Sequence, residues 1–252
     1  MTRAAVADVK RLSPAAGRAY FYAWPTTTPT PDSRVRRTMA LSIKLVRHGE
    51  SQANVGIVNT WEVGDHTVEL TAKGHDQARQ AGASIGAEYF AGAIAYSSPF
   101  RRARDTLDGL LVGAGIDRST LLHYEDPRLR EVDHGYTNVP SQRAMQTKFG
   151  PFYYRFEGGE SPADCYDRTS GFLESMMRQV LRVGAERVLI VTHGLTIRCF
   201  VMRFLHLTVE QFESMANPGN CAVVTLAARD TVAEPVFATG RWAVTGIELL
   251  KR

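Results

Sequence analysis

Residues 45–50 read LVRHGE, an apolar run that ends abruptly in His-Gly. The same design returns far along the chain in residues 189–194, LIVTHG. Each pattern predicts a buried strand that delivers an imidazole to a tight turn. Because ligands bind at the carboxyl ends of strands in open α/β sheets, His48 and His193 together indicate a site there. Arg47, next to the first histidine, favours phosphate as the ligand.

A third apolar run, residues 93–96, is followed by SSPFRRARDT at 97–106. Pro99 suits the first turn of a helix. A helix start presents free backbone N–H groups, and arginine adds bidentate recognition, so this element is suited to holding an anion. A lone strand-end histidine is usually structural and a basic helix face is usually only solvated, so the combination carries the prediction.

These motifs, in this order, resemble those of the histidine phosphatase superfamily. The similarity is to the branch that contains cofactor-dependent phosphoglycerate mutases and many small phosphatases, and it covers about residues 42–228. The matching segments are RHGE at 47–50 with Asn54, Leu70 and Thr71 through to Gly74, residues 98–106, LRE at 129–131, GES at 159–161 and THG at 192–194. A single Arg-His-Gly is weak evidence, whereas several ordered matches are strong.

The resemblance implies a role for each candidate residue. His48 would attack the substrate phosphoryl group and form a phosphohistidine, which water then hydrolyses. His193 would stabilise charge on the transferred oxygens. Glu131 would protonate the leaving group as a general acid. Three residues are implied to bind the phosphate: Arg47, Asn54 and Arg102.

Two of these assignments have a neighbour as the alternative. Asp133 follows Glu131 by two residues and is the second candidate for the proton donor. In the other branch of the superfamily the acid is an aspartate directly after the second histidine. Gly194 occupies that place here, which moves the task to the upstream carboxylate. The family pattern puts the phosphate-binding arginine immediately before an alanine, which selects Arg102 over Arg101.

Alternating strand and helix patterns predict an α/β fold with a mostly parallel sheet and helices on both faces. We expect it to be phosphoglycerate mutase-like, with a short lid insertion in a loop-rich stretch over 133–159. The predicted strands are 42–46, 93–97, 121–124, 187–192, 222–226 and 242–249. The predicted helices are 71–89, 99–112, one starting at 161, 195–205 and 209–215.

The lid decides between two activities. Mutases of the family have a longer insertion here with a paired arginine, whereas residues 149–156 of this chain read FGPFYYRF. Tyr154 and Arg155 are predicted to contact an apolar or sugar-like leaving group while water reaches His48, and a packed cap is the alternative. We therefore expect a phosphomonoesterase that acts on small phosphate esters. The alternatives are a cofactor-dependent phosphoglycerate mutase and a catalytically silent phospholigand-binding protein.

Composition sets the remaining expectations. The chain has 252 residues, 44% of them hydrophobic and 22% charged, which predicts one catalytic domain over 39–252. Residues 1–38 contain seven basic and two acidic residues, so the net charge of +4 becomes −1 for the rest. No nucleic-acid surface is indicated. Residues 1–38 are predicted to be a disordered tail or an over-extended gene start, with an organellar targeting segment as the alternative.

The three cysteines, Cys165, Cys199 and Cys221, show no metal-ligand spacing. They are predicted to be reduced core residues, which favours a cytoplasmic location. No apolar run is long enough to predict a membrane span. We expect no metal and no other cofactor, and the expected partner is a small-molecule phosphate ester.

Overall fold

The structure is a computed structural model that describes residues 41–135 and 139–251. The predicted tail, residues 1–38, lies outside the described residues. The strands are β1 Ser42–Arg47, β2 Ile94–Ser97, β3 Leu122–Glu125, β4 Arg187–Thr192, β5 Val223–Ala228, β6 Phe237–Thr239 and β7 Trp242–Thr245. The helices are α1 Thr60–Val63, α2 Ala72–Ile85, α3 Ala87–Phe90, α4 Arg101–Ala114, α5 Val139–Phe149, α6 Pro162–Val183, α7 Gly194–Leu205 and α8 Val209–Ser214.

The seven strands form one sheet in the order β3-β2-β4-β1-β5-β7-β6. The first four strands of this order pair in parallel, and β5, β7 and β6 continue the sheet in antiparallel fashion. The predicted mostly parallel α/β sheet is therefore confirmed. The two strands that end in His-Gly, β1 and β4, are direct neighbours, and Arg47 lies opposite Thr192.

Helices cover both faces of the sheet, because the apolar side chains of its central strands alternate between two cores. Along β4, Ile190 belongs to the core that contains residues of α6 and α7. Leu189 and Val191 belong to the second core, which is closed by α4. Among the described residues, no helix is both long and apolar enough to cross a bilayer.

The structure differs from the predicted elements at three places. The helix predicted over 71–89 ends at Ile85, because Gly86 has a φ of 79° and its N–H bonds to the Gly82 carbonyl oxygen. The stretch predicted as loop-rich contains α5, which the sequence signals poorly because it has no acidic first turn and little amphipathic pattern. The final strand ends at Thr245, before Gly246 at a φ of 80°, and β6 pairs with it.

The tight contact between α2 and α4 depends on glycine. A Cβ atom at Gly82 would lie 2.0 Å from the Leu110 carbonyl oxygen, and one at Gly113 would lie 1.9 Å from that of Arg79. Backbone therefore packs directly on backbone. Arg102, the predicted phosphate-binding arginine, lies in the first turn of α4. The contact between α2 and α4 therefore helps to determine the position of Arg102.

We expect Gly82→Ala to lower the free energy of unfolding by roughly 1–3 kcal/mol, because the added methyl group forces the two helices apart. Urea unfolding followed by circular dichroism measures the change. Gly171→Ala in α6 is the matched control, since its Cβ would lie 3.7 Å from the nearest side-chain atom, on Arg128. An unchanged stability of Gly82→Ala would contradict the close packing of α2 on α4.

Candidate active site

The two predicted histidines lie side by side at the carboxyl ends of β1 and β4. The His48 backbone N–H donates to the Thr192 carbonyl oxygen over 2.9 Å, so the strand pairing continues into the site. The centroids of the His48 and His193 rings are 5.2 Å apart, in an edge-on arrangement. Both side chains are buried.

The hydrogen bond at His48 fixes its tautomer. Nδ1 lies 2.8 Å from the carbonyl oxygen of Gly49, which can only accept, so Nδ1 carries the proton. Nε2 therefore keeps its lone pair. Burial and the positive charges of Arg102 and Arg47 lower the pKa of His48 to about 3. The imidazole is therefore neutral at any pH near neutrality.

His193 is also held as a neutral ring with one nitrogen free of protein partners. Its Nε2 lies 2.9 Å from Ser98 Oγ, which itself accepts the N–H of Phe100 over 3.3 Å. If Ser98 donates to Nε2, the imidazole proton is on Nδ1. That Nδ1 is buried without a hydrogen-bond partner among the described residues. Burial, followed by the charge of Arg102, lowers the pKa of His193 well below its usual value.

Two arginines supply the positive charge of the site. Arg47 donates from Nη1 to the Pro218 carbonyl oxygen over 2.7 Å, and its buried Nε has no partner among the described residues. Burial lowers the pKa of Arg47, and the Glu131 carboxylate acts in the opposite direction. Arg102 is buried, and its guanidinium lies 5.1 Å from the centroid of the Phe100 ring. Both arginines lower the pKa of His48, so both guanidinium groups lie near its ring.

Arg102 has a carboxylate partner that sequence reasoning missed. Its Nη1 and Nη2 donate to the two oxygens of Asp65 over 2.8 and 3.1 Å, and Nη1 also donates to the Asp65 backbone oxygen. This bidentate geometry is the one in which arginine binds phosphate. Asp65 stands in the short 3₁₀ helix Asp65–Thr67, and no local pattern separates it from an ordinary surface acid.

Asn54, predicted to bind phosphate, lies in an exposed turn beside β1. Its side-chain oxygen accepts from the Ser51 N–H over 3.1 Å and from Asn220 Nδ2 over 3.0 Å. The same Nδ2 donates to the His48 carbonyl oxygen over 3.2 Å. Asn220, which the sequence analysis did not select, therefore ties Asn54 to the nucleophile loop. The Asn54 amide nitrogen is the group left to face a ligand.

Both candidate proton donors line one cavity of about 670 Å³, together with Trp61, Asp65 and Phe100. The loop that carries them is held from β4 and α7. Thr192 Oγ1 donates to the Leu129 carbonyl oxygen over 2.6 Å, and Thr196 Oγ1 donates to that of Arg130 over 2.8 Å.

The two carboxylates differ in their surroundings. Glu131 is partly buried, accepts from the Val132 N–H over 3.0 Å and is close enough to Arg47 to act on its pKa. Asp133 is exposed, and its carboxylate accepts from the N–H of Gly135 over 2.8 Å. Of the two acids, Glu131 is thus the more buried one and the one whose charge reaches Arg47.

The structure does not bring Tyr154 and Arg155 to this cavity. The Tyr154 hydroxyl donates to Gln142 Oε1 over 3.1 Å, and Arg155 forms an ion pair with Asp164 at the start of α6. Phe152 is buried against Phe212, which anchors the segment in the core. Tyr154 and Arg155 are held by these contacts outside the described lining of the cavity, and their contact with a substrate stays a prediction.

The comparison with known proteins follows from this geometry. Residues 43–237 match the family model of the histidine phosphatase superfamily, branch 1. The chain is a branch 1 histidine phosphatase. The resemblance of its motifs to this family, and the prediction of a phosphatase-type enzyme, are thereby confirmed.

Relatives of this histidine phosphatase carry both mutase and phosphatase names. It is 36% identical to phosphoglycerate mutase-like protein AT74 of Arabidopsis thaliana, over 77% of this chain and 66% of AT74, slightly under two thirds of that relative. It is 32% identical to the 2,3-bisphosphoglycerate-dependent phosphoglycerate mutase of Brucella anthropi, over 77% of this chain and 97% of the relative. It is 25% identical to the broad-range acid phosphatase DET1 of Saccharomyces cerevisiae, over 78% of this chain and 88% of the relative.

A solved structure agrees with the fold of this histidine phosphatase. A mycobacterial glucosyl-3-phosphoglycerate phosphatase in complex with VO3 superposes with a TM-score of 0.62 at 24% identity. The superposition covers 81% of this chain and 97% of the other. At this identity the likeness establishes the fold.

We expect Asp65→Asn to tighten inhibition of this histidine phosphatase by inorganic phosphate by roughly tenfold. The amide keeps a hydrogen-bond acceptor beside Arg102 but removes the negative charge that compensates the guanidinium. The effect stays modest because the Asp65 side chain is about one-third exposed and therefore screened.

Competitive inhibition constants measure this change. Asp76→Asn, which removes an exposed carboxylate paired with Arg79, is the control. Weaker phosphate inhibition in Asp65→Asn would instead show that the carboxylate is needed to orient Arg102.

Proposed function

We propose that the chain is a phosphomonoesterase that hydrolyses small phosphate esters through a phosphohistidine on His48. One observation carries the proposal: the Nδ1 proton is tied to the Gly49 carbonyl oxygen, which leaves the Nε2 lone pair free beside two arginines. A neutral imidazole with an unprotonated ring nitrogen is a competent nucleophile.

In the first half-reaction, Nε2 of His48 attacks the phosphorus atom and the N–P bond forms as the ester P–O bond breaks. The electron pair goes to the leaving oxygen, which takes a proton from Glu131. Arg47, Arg102 and the Asn54 amide bind the phosphoryl oxygens, and the unpartnered Nδ1–H of His193 donates to them. Arg102 must share or exchange its hydrogen bonds with the Asp65 carboxylate when the phosphate binds.

In the second half-reaction, the Glu131 carboxylate takes a proton from water, and the resulting hydroxide attacks the phosphorus. The N–P bond breaks, its electron pair returns to Nε2, and inorganic phosphate leaves. The proton on Glu131 is restored by this step. The cycle is balanced without a metal or other cofactor.

A phosphoglycerate mutase is the second candidate, because a relative with 32% identity to this chain carries that name. A mutase must bind a substrate that carries a carboxylate. It must also accommodate a phosphate at a second position of that substrate. The cavity beside the histidines carries Glu131 and Asp133, and its one lining arginine, Arg130, is paired with Glu160. This charge distribution favours hydrolysis over mutase chemistry. The presence of a proton donor argues against a silent phospholigand-binding protein.

Three further assignments belong to this proposal. We assign the activity to residues 39–252, which contain the whole family match. We place the protein in the cytoplasm, since its three cysteines are free and buried. We assign a small-molecule substrate, because the cavity that Glu131 lines has a volume of about 670 Å³.

His48→Ala should abolish phosphate release, because it removes the unprotonated Nε2 atom to which the proposal assigns the attack on phosphorus. We expect a loss of more than about 1,000-fold, measured as inorganic phosphate released from a panel of monoesters in EDTA. His206→Asn is the control, since His206 is exposed and caps the far end of α7 in a left-handed conformation that asparagine tolerates. Turnover of His48→Ala at the wild-type rate would remove His48 as the nucleophile.

Glu131→Gln should slow esters with poor leaving groups, such as phenyl phosphate, by roughly 100-fold or more, while p-nitrophenyl phosphate changes far less. The reason is that p-nitrophenolate hardly needs a proton when it leaves. Comparison of kcat/KM for the two esters measures the effect. If Asp133 were the donor, Asp133→Asn would show this pattern and Glu131→Gln would not.

A further inference from the structure

The cavity that contains Glu131 lies on the leaving-group side of the histidine pair. It reaches the pair through Phe100, whose ring centroid is 5.2 Å from that of His193, and through Asp65, the partner of Arg102. One wall is the segment around α1 and the other is the loop 130–135. Its volume of about 670 Å³ is in the range of ~300–1,000 Å³ that holds ligands of drug size. A leaving group of three carbons would leave most of it unfilled.

The fixed charges of the cavity wall are negative. Neither Glu131 nor Asp133 forms an ion pair within the part of the chain that the structure describes, whereas the lining arginine, Arg130, is already paired with Glu160. A leaving group that carries a carboxylate or a second phosphate would therefore meet the unpaired Asp133 carboxylate, while the one arginine among the described lining residues is already paired.

The cavity wall also presents an aromatic ring that stacks on none of its described neighbours. The Trp61 side chain lines the cavity and is 48% exposed, and it has no stacking or cation-π partner among the described residues. Large apolar side chains exposed beside a concave site commonly form ligand contacts. Phe100 lies across the floor, where its ring already contacts His193 and Arg102. Trp61 is thus the surface available to a ring of the substrate.

We propose that the preferred substrates are phosphate monoesters of uncharged, ring-bearing alcohols or phenols, and that Asp133 rejects esters with a second anionic group. This inference rests on the proposed phosphomonoesterase activity and specifies its substrate class. Trp61 contacts the ring of the leaving group. Asp133 acts on the leaving group by its charge and takes no part in the bond-breaking step.

Two esters of the same shape test the charge rule at neutral pH: 4-carbamoylphenyl phosphate and 4-carboxyphenyl phosphate. We expect wild-type kcat/KM to favour the uncharged ester by roughly tenfold or more. Asp133→Asn should reduce this preference to about threefold or less, because it removes the unpaired charge that opposes a second anionic group. Asp230→Asn, an exposed acid outside the cavity lining, should keep the wild-type preference.

A second pair of substrates tests the ring contact. Trp61→Ala should raise KM for 4-carbamoylphenyl phosphate roughly tenfold and leave KM for glycerol 2-phosphate within about twofold. Val63→Ala, which shortens an exposed side chain in the same helix but outside the cavity lining, should change neither KM.

The outcomes separate the two proposals. Equal or faster hydrolysis of the carboxylated ester by the wild type, with release still dependent on His48, would overturn the substrate rule and keep the phosphomonoesterase. A parallel rise of both KM values in Trp61→Ala would overturn the ring contact. No release from any ester by the wild type would overturn the phosphomonoesterase and the substrate rule with it.

Discussion

The parallel pairing of β1 with β4 is the constraint on which the site depends. Arg47 lies opposite Thr192, and the ladder continues to the bond from the His48 N–H to the Thr192 carbonyl oxygen. Side chains alternate between faces along a strand, so a slip of one residue would turn every apolar side chain of β1 to the wrong core. The hydrophobic pattern of the two strands therefore fixes the relative position of the two imidazoles. The packing of the core thus determines where the two histidine side chains lie.

This placement buries two imidazoles beside two guanidinium groups, and the protein separates their tasks. Burial and the nearby arginines lower the pKa of both histidines, so the rings stay neutral. The fixed positive charge is left to Arg47 and Arg102, which do not lose it at any physiological pH. A protonated His48 would have no lone pair for phosphorus. In the proposed mechanism, the arginines attract the phosphate and also keep the lone pair of His48 available.

The sequence predicted those parts of the site that have a local signal. His48 and His193 follow apolar runs, and Arg102 opens a helix after a strand, so each could be found from a few adjacent residues. Asp65 and Asn220 could not, because each acts through a partner far away in the chain, across 37 residues to Arg102 and 166 residues to Asn54. Helix α5 was missed for another reason, since its apolar residues follow no clear helical period.

The aromatic insertion shows why an exposed-looking motif can be structural. Tyr154 and Arg155 of this insertion are predicted to contact the substrate. Phe156, next to them, packs against His134 in the loop 130–135, with 4.7 Å between ring centroids. Just after it, the Glu160 N–H donates to the Asp133 carbonyl oxygen over 2.8 Å, and the Glu160 carboxylate accepts from the Asp133 N–H. That carboxylate also pairs with Arg130 and Arg168. The insertion therefore acts on the chemistry indirectly, by fixing both sides of Glu131, while the opposite wall of the cavity is left to meet the leaving group.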